Sequence, residues 1–192
     1  NPDFELGGAG EVTFGNYGAL GLAGWFNAPL GDYAAFRIYA AHRDRDGWMD
    51  VVSGAGPRTE DKDYDQNFRT FRGKLLLAPT DNVEIVLSAD STKRDENCCT
   101  AVQLVSGSTA AIINGVGGGN AIAVPANPWA RVAYSNRDTT QKMNDRGLQA
   151  EVNVDLEAGS GFTVDVTGER AAVRYRMAFN QVAEGWSWRP LA

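Results

Sequence analysis

Apolar residues recur at every second position through much of this chain, and one of the two alternating rows carries no charge. That row runs Ala34, Phe36, Ile38, Ala40; then Phe71, Gly73, Leu75, Leu77; then Val83, Ile85, Leu87, Ala89; then Leu148, Ala150, Val152, Val154, Leu156. The interleaved row holds Arg37, Arg72, Lys74, Glu84, Asp90, Glu151 and Asp155. Strand side chains alternate faces with period 2, so these stretches predict a sheet with one apolar face and one ionic face. The same alternation predicts strands over Phe4–Phe14, Ala19–Ala28, Tyr33–His42, Phe68–Leu77, Val83–Lys93 and Arg146–Leu156, with a seventh beginning at Phe162. Gly15-Asn16-Tyr17-Gly18 supplies turn chemistry after the first.

The connections sort by length. Pro29–Asp32, Ala78–Asn82 and Glu157–Gly161 are tight, whereas Arg43–Asn67 and Arg94–Asp145 are long. In up-and-down antiparallel order the tight turns fall at one end of the sheet and the long loops at the other. Loops in compact soluble domains rarely exceed about 15 residues, so two at one end require a reason. Several strands keep their alternation for about 9–11 residues, the length a tilted strand needs to cross a bilayer, and short turns opposite long loops are the outer-membrane barrel arrangement. A soluble β-sandwich with the uncharged row as its dry core is the competing architecture.

Composition narrows the function classes. Twenty-two Gly and one His among 192 residues suit strands and loops rather than a helix bundle. A net charge of -6 without a Lys/Arg-rich run argues against a nucleic-acid partner. No apolar stretch approaches the roughly 20 residues of a membrane helix, which excludes helical spans and leaves a barrel open. Asn1-Pro2-Asp3-Phe4 has neither a basic nor an apolar leader segment, and predicts either a cytosolic protein or an internal piece of a longer one.

Phe4-Glu5 followed by Gly15-Asn16-Tyr17-Gly18, Asn27-Ala28-Pro29-Leu30, Arg37 and Asp44-Arg45-Asp46-Gly47-Trp48 resembles the opening of the barrel domain of TonB-dependent outer-membrane receptors. Gly73-Lys74-Leu75-Leu76-Leu77-Ala78-Pro79-Thr80-Asp81, and the acidic strand end before Asn97-Cys98-Cys99, are similar to the same family's next strands. The resemblance covers Asn1 to Cys99, with a weaker echo over Asp145–Leu156. It implies an all-β, up-and-down transmembrane barrel in the bacterial cell outer membrane, of which residues 1–192 are an incomplete segment. It further implies active import of a scarce nutrient, of the ferric siderophore, haem or cobalamin class, energised by TonB acting on an N-terminal box. The implied partners are outer-membrane lipid, a plug domain, TonB and a small-molecule substrate such as an iron chelate; the box, the plug and most of the strands lie outside this sequence. A passive porin and a soluble β-rich binding or adhesion module are the alternatives. Thr163 to Arg170 departs from the family's strand pattern, and the tail through Trp186, Trp188 and Ala192 has no strand period. This predicts that residues 162–192 are truncated or frame-shifted from near Gly161.

Candidate chemistry is sparse. Cys98 and Cys99, in a loop placed outside the cell, predict a disulfide staple, with free thiols or a redox or metal role as alternatives. Asp61-Lys62-Asp63-Tyr64-Asp65 begins like a calcium loop, but Gln66 replaces the turn glycine and Arg72 replaces the bidentate Glu, so a solvated acidic loop is expected, with loose calcium binding as the alternative. Gly115-Val116-Gly117-Gly118-Gly119-Asn120 lacks the strand, helix and Lys of a phosphate loop. His42 finds no nucleophile and carboxylate to act with, and no paired acid and base appears, so neither enzyme chemistry nor a cofactor is expected. Trp25, Tyr33, Tyr39 and Trp48 are explained by position, those near strand ends being expected at the headgroup level of a membrane. The ionic row is assigned to the barrel lumen, where it hydrates the interior and contacts the plug, with direct substrate contact as the alternative.

Overall fold

The structure, a computed structural model, describes residues 1–119, 121–156 and 160–176. In chain order its elements are β1 (Gly7–Phe14), β2 (Leu20–Pro29), β3 (Ala34–Arg45), β4 (Met49–Val52), β5 (Lys62–Asp63), β6 (Gln66–Thr80), β7 (Val83–Asn97), α1 (Ala110–Val116), β8 (Val132–Tyr134), β9 (Thr140–Leu156) and β10 (Ser160–Arg176). A seven-stranded sheet takes the order β1-β2-β3-β6-β7-β9-β10, and a three-stranded sheet the order β5-β4-β8. The large sheet is an antiparallel up-and-down ribbon, open, with β1 and β10 at its edges.

The register carries the uncharged row from strand to strand. Phe36 faces Leu75, Leu75 faces Leu87, and Leu87 faces Ala150. Ala34 faces Leu77, Leu77 faces Ile85, and Ile85 faces Val152. On β2 and β1 the row continues through Phe26, Gly24 and Leu22 to Gly8, Gly10 and Val12, and at the other edge Val152 and Val154 face Val164 and Phe162. Directly opposed residues share a face, so seven strands share one apolar surface.

Three differences from the sequence-based expectation have physical causes. The first strand begins at Gly7 rather than Phe4, because the Asn27 side chain holds Asp3 and Glu5 out of the ladder. Strands β6 and β7 are 15 residues long and β9 and β10 are 17, longer than the alternation indicates. Their extra residues, such as Asn67, Asp95, Asn144 and Asp145, are polar on both faces, so period 2 is invisible there while the ladder continues. The short Gly15–Ala19 connection, closed by the Gly15 N–H on the Ala19 carbonyl at 3.0 Å, sits at the long-loop end with Tyr17 and Gly18 at φ of 63° and 64°. The ladder between β6 and β7 shifts register at Leu77/Thr80, where Pro79 has no N–H to contribute. The segment from Thr163 to Arg170 pairs with β9 throughout, in a register running from Ser160 opposite Leu156 to Arg176 opposite Thr140. Residues 157–159 of the tight turn expected at Glu157–Gly161, and Trp186 and Trp188, lie outside the described residues.

Candidate functional site

The sheet has three working surfaces. The first is the uncharged face. Phe71 is 51% exposed, Leu87 41% and Leu148 69%, and Val12, Phe26 and Ile38 are exposed with them. A dry sandwich core would bury these side chains. The buried apolar residues Ala35, Leu76 and Val86 instead lie on the opposite, ionic face, in one row of the ladder. From Leu148 to Leu156 the uncharged row spans about 26 Å of strand, or about 20 Å of height at a barrel tilt of ~40°, most of the ~25 Å apolar band of an outer-membrane barrel.

The second surface is the ionic face. Arg37, Arg72, Lys74, Asp90 and Glu151 all project from it, as the alternation requires, and Glu84 and Asp155 have the same parity by register. Cations gather on β3 and β6 and carboxylates on β7 and β9, giving the face a charge gradient across the strands. The N-terminal segment lies along it. Asn27, 1% exposed, accepts from the Asp3 N–H at 3.2 Å and donates through Nδ2 to the Asp3 carbonyl and carboxylate and to the Glu5 carbonyl. Lys74 Nζ donates to Asn1 Oδ1 at 2.7 Å, and Arg37 lies over the Trp25 ring at 3.8 Å. Trp25 and Tyr39 face each other across β2 and β3 on this ionic face. Their assignment to a headgroup girdle is therefore overturned: each is one residue out of phase with the uncharged row. His42 has the parity of the uncharged row but lies beyond its apolar stretch, and its Nδ1 meets the Phe68 carbonyl at 3.1 Å.

The third surface is a cap built by the two long loops. β4, from the first loop, pairs antiparallel with β5 and parallel with β8, which comes from the second. Met49, Val51 and Ala133 form its buried core, with Trp48, Tyr64 and Val102 packed against it. Trp48 stacks on Tyr64 with ring centroids 4.8 Å apart, so it is a cap residue and not a girdle residue. Asp63 is fully buried; its carboxylate pairs with Arg58 at 2.6 Å and accepts the hydroxyls of Thr139, at 2.9 Å, and Thr100. The expected solvated acidic loop is thus corrected at Asp63, which joins Arg58 of one loop to Thr100 and Thr139 of the other. Asp138 accepts from the Thr59 N–H and hydroxyl and the Glu60 N–H. Buried Asn136 accepts from the Gly54 N–H at 2.6 Å and donates to the carbonyls of Gly117 and Gly119. A Cβ on Gly54 would stand 1.9 Å from the Gly119 carbonyl oxygen, so only glycine permits this approach.

Electrostatics in the cap oppose one another. Burial pushes the Asp65 carboxyl above its ordinary range, aided by Glu96 and Asp63 against the Asn97 N–H. Burial pushes Asp138 upward too, but the Glu60 and Thr59 hydrogen bonds and Arg58 outweigh it and leave Asp138 below its ordinary value. Burial, then Asp63, raises the Tyr64 phenol.

The remaining sequence candidates fall in the cap. The sulfurs of Cys98 and Cys99 are 2.01 Å apart, and the Cys98 N–H donates to the Thr139 carbonyl at 2.9 Å. The glycines after α1 turn two carbonyls toward Asn136 rather than amides toward an anion, and the helix precedes them. Among the described residues no three His, Cys, Asp or Glu side chains gather as a metal site. Sequence reasoning gave no side-chain role to Asn27, quoted there only within Asn27-Ala28-Pro29-Leu30, and did not single out Arg58 or Asn136. It also missed Trp129, 88% exposed on the cap with Leu104, Val105, Ile112 and Val116 also exposed.

No family model matches the chain, and no curated protein matches it. Its fold is similar to the ferripyoverdine receptor of the outer membrane of Pseudomonas aeruginosa, bound to ferripyoverdine, with a TM-score of 0.63 at 16% identity over 93% of this chain and 21% of that one. It is also similar to the FpvAI–pyocin S2 complex, with a TM-score of 0.61 at 16% identity over 93% of this chain and 22% of that one. This chain therefore spans about a fifth of each, and has an all-β fold, an incomplete antiparallel up-and-down segment of a β-barrel whose sheet is open.

Proposed function

We propose that this chain is part of the barrel domain of an energised outer-membrane uptake receptor. Its uncharged face meets lipid, its ionic face lines the lumen against a plug, and its cap stands outside the cell at the ligand entrance. The observation that carries the reading is the uncharged row that continues by register from strand to strand, with exposed members on β1, β2, β3, β6, β7 and β9, backed by an ionic face of the opposite parity. The cap supports a receptor over a passive porin. Its two loops are joined by a sheet, by the Thr100 and Thr139 hydroxyls on buried Asp63 and by the Asn136 hydrogen bonds, a pre-shaped surface that a ligand can meet without first ordering it. The Cys98–Cys99 bridge suits an oxidising space. The substrate class is a scarce nutrient chelate, with iron bound by a siderophore first among candidates because one structural neighbour is a receptor bound to ferripyoverdine. Energy reaches the full-length receptor through TonB and a plug encoded upstream.

The test is uptake of labelled ferric chelate by cells carrying the full-length gene, with and without an energised inner membrane. Accumulation that stops on de-energisation is expected. Solute entry indifferent to energisation indicates a porin, and a full-length product that is monomeric and melts cooperatively in water without detergent indicates the soluble binding module.

A further inference from the structure

The Cys98–Cys99 bridge joins neighbouring residues, so it closes only a small ring through their shared peptide bond. A disulfide restrains the unfolded chain more the longer the loop it closes, and this one ties neither long loop to the other. What it restrains is the backbone between the end of β7 and Thr100. Cys99 stands at φ 81°, in the left-handed region that costs an L residue energy and that glycine normally fills.

The residues on either side of that kink hold the cap together. Before it, the Asn97 carbonyl accepts the Tyr64 N–H at 2.8 Å, and the Cys98 N–H donates to the Thr139 carbonyl at 2.9 Å. After it, the Thr100 carbonyl accepts the Tyr64 hydroxyl at 2.8 Å. The Thr100 hydroxyl donates to the Asp63 carboxylate, 3.2 Å from the Thr139 hydroxyl that shares it. Thr100 is 6% exposed, Thr139 3%, and Asp63 is fully buried. Turning Cys99 to an ordinary negative φ redirects the chain and takes Thr100 away from both Asp63 and Tyr64, whose ring stacks on Trp48. Cys99 itself is exposed, so a dissolved thiol can reach the bond that adjoins this buried junction.

We propose that the Cys98–Cys99 bridge is a thiol-responsive latch on the cap. Oxidised, it holds Cys99 in the left-handed turn and Thr100 in the junction; reduced, it leaves the cap contacts alone to hold a conformation that Cys99 disfavours, and the junction loosens. The reductant is a small-molecule thiol. Its thiolate attacks the Cys99 sulfur, the S–S bond breaks and Cys98 leaves as a thiolate; a second thiolate attacks the external sulfur of the mixed disulfide and frees Cys99. The bridge gains two electrons, a pair of external thiols becomes one disulfide, and the protons they give up end on Cys98 and Cys99. The consequence, a cap surface that is firm when oxidised and loosened by thiols, bears on ligand entry through the receptor reading above.

The test is hydrogen exchange of the full-length protein in detergent micelles, with and without excess dithiothreitol, while alkylation and mass spectrometry report the state of Cys98 and Cys99. Reduction is expected to speed exchange in β4, β5 and β8 roughly 5- to 150-fold, the cost of a non-glycine residue at positive φ expressed as an equilibrium shift, with the centres of β6 and β7 unchanged. Cys98→Ser/Cys99→Ser should exchange fast without thiol and ignore its addition, which also removes any effect of thiol elsewhere in the protein. Cys98→Ala/Cys99→Gly has no bridge but accepts the left-handed turn freely, and should stay protected with or without thiol. A bridge that excess thiol cannot reduce in the folded protein overturns the proposal, as does unchanged cap protection once both cysteines are reduced. Protection of the Ser variant equal to that of oxidised wild type overturns it too, and an Ala/Gly variant as exposed as the Ser variant overturns the role given to the turn at Cys99. A thiol-insensitive cap leaves the receptor reading standing, whereas solute uptake indifferent to energisation defeats that reading and leaves the latch standing.

Discussion

Replacing Leu87 with Arg in the full-length protein asks directly what the uncharged face touches. Leu87 sits four residues from Val83, the first residue of β7, and four from Ser91, where the apolar row ends, so it lies near mid-height of the belt. Its cross-strand neighbours are Leu75 and Ala150, and it is 41% exposed among the described residues. If that exposure is to hydrocarbon, Arg at mid-height costs about 2–4 kcal/mol, a roughly 25- to 700-fold shift toward the unfolded state. If it is to water, an exposed Leu-to-Arg change stays within about 0.5 kcal/mol. Ser88→Arg is the internal control. One residue along, it points to the ionic face opposite Lys74, where like-charge repulsion costs at most about 1 kcal/mol. Urea unfolding of the protein refolded into vesicles, compared at a common slope, supplies both values. Leu87→Arg no more costly than Ser88→Arg would refute lipid contact.

Other consequences concern the cap. Arg58→Met leaves the Asp63 carboxylate buried without its cation, and should cost the cap about 3–5 kcal/mol. Hydrogen exchange would report this as lost protection in β4, β5 and β8 with β6 and β7 unchanged; intact cap protection would count against the Arg58–Asp63 tie. Gly54→Ala drives a Cβ into the Gly119 carbonyl and should open both loops to protease, whereas Gly107→Ala, with nothing within 4 Å, should behave as wild type. Cap stability should pass through a maximum on acidification. Asp65, raised in the folded state, costs stability while ionised, and that cost is relieved as pH falls through its raised value. Asp138, depressed in the folded state, contributes stability above the ordinary carboxylate pKa of about 3.8 and loses it as pH falls through its lower folded value. Exchange protection of the cap amides measured from neutral pH downward checks this order, and a steady decline from neutrality would contradict the Asp65 part.

The large sheet was legible in the sequence because each central strand separates apolar from charged residues by parity alone. Leu75, Leu87 and Ala150 stand on consecutive strands at positions their own alternation predicts. What could not be read was held by contacts without a period. Asn27 and Asn136 act through single amide side chains on segments distant in sequence, Asp3 and Gly54 among them. Asp63 was hidden for a related reason, because only pairing between the two loops converts an acidic run into a buried ion pair. Trp25 and Tyr39 show the converse: aromatic identity suggested a girdle, and parity places them opposite each other on the ionic face, with Arg37 over the Trp25 ring.

The most direct measurement is site-directed spin labelling of the full-length protein in vesicles, with Cys98 and Cys99 replaced by Ser and single cysteines placed at successive positions from Leu75 through Leu77 and from Val86 through Ala89. A lipid-facing row predicts that labels at Leu75, Leu77, Leu87 and Ala89 collide with oxygen dissolved in the bilayer and are shielded from a water-soluble nickel chelate, while Leu76, Val86 and Ser88 show no such preference. Nickel accessibility at Leu87 and Ala89 equal to that at Ser88, or accessibility without a period of two, would contradict it.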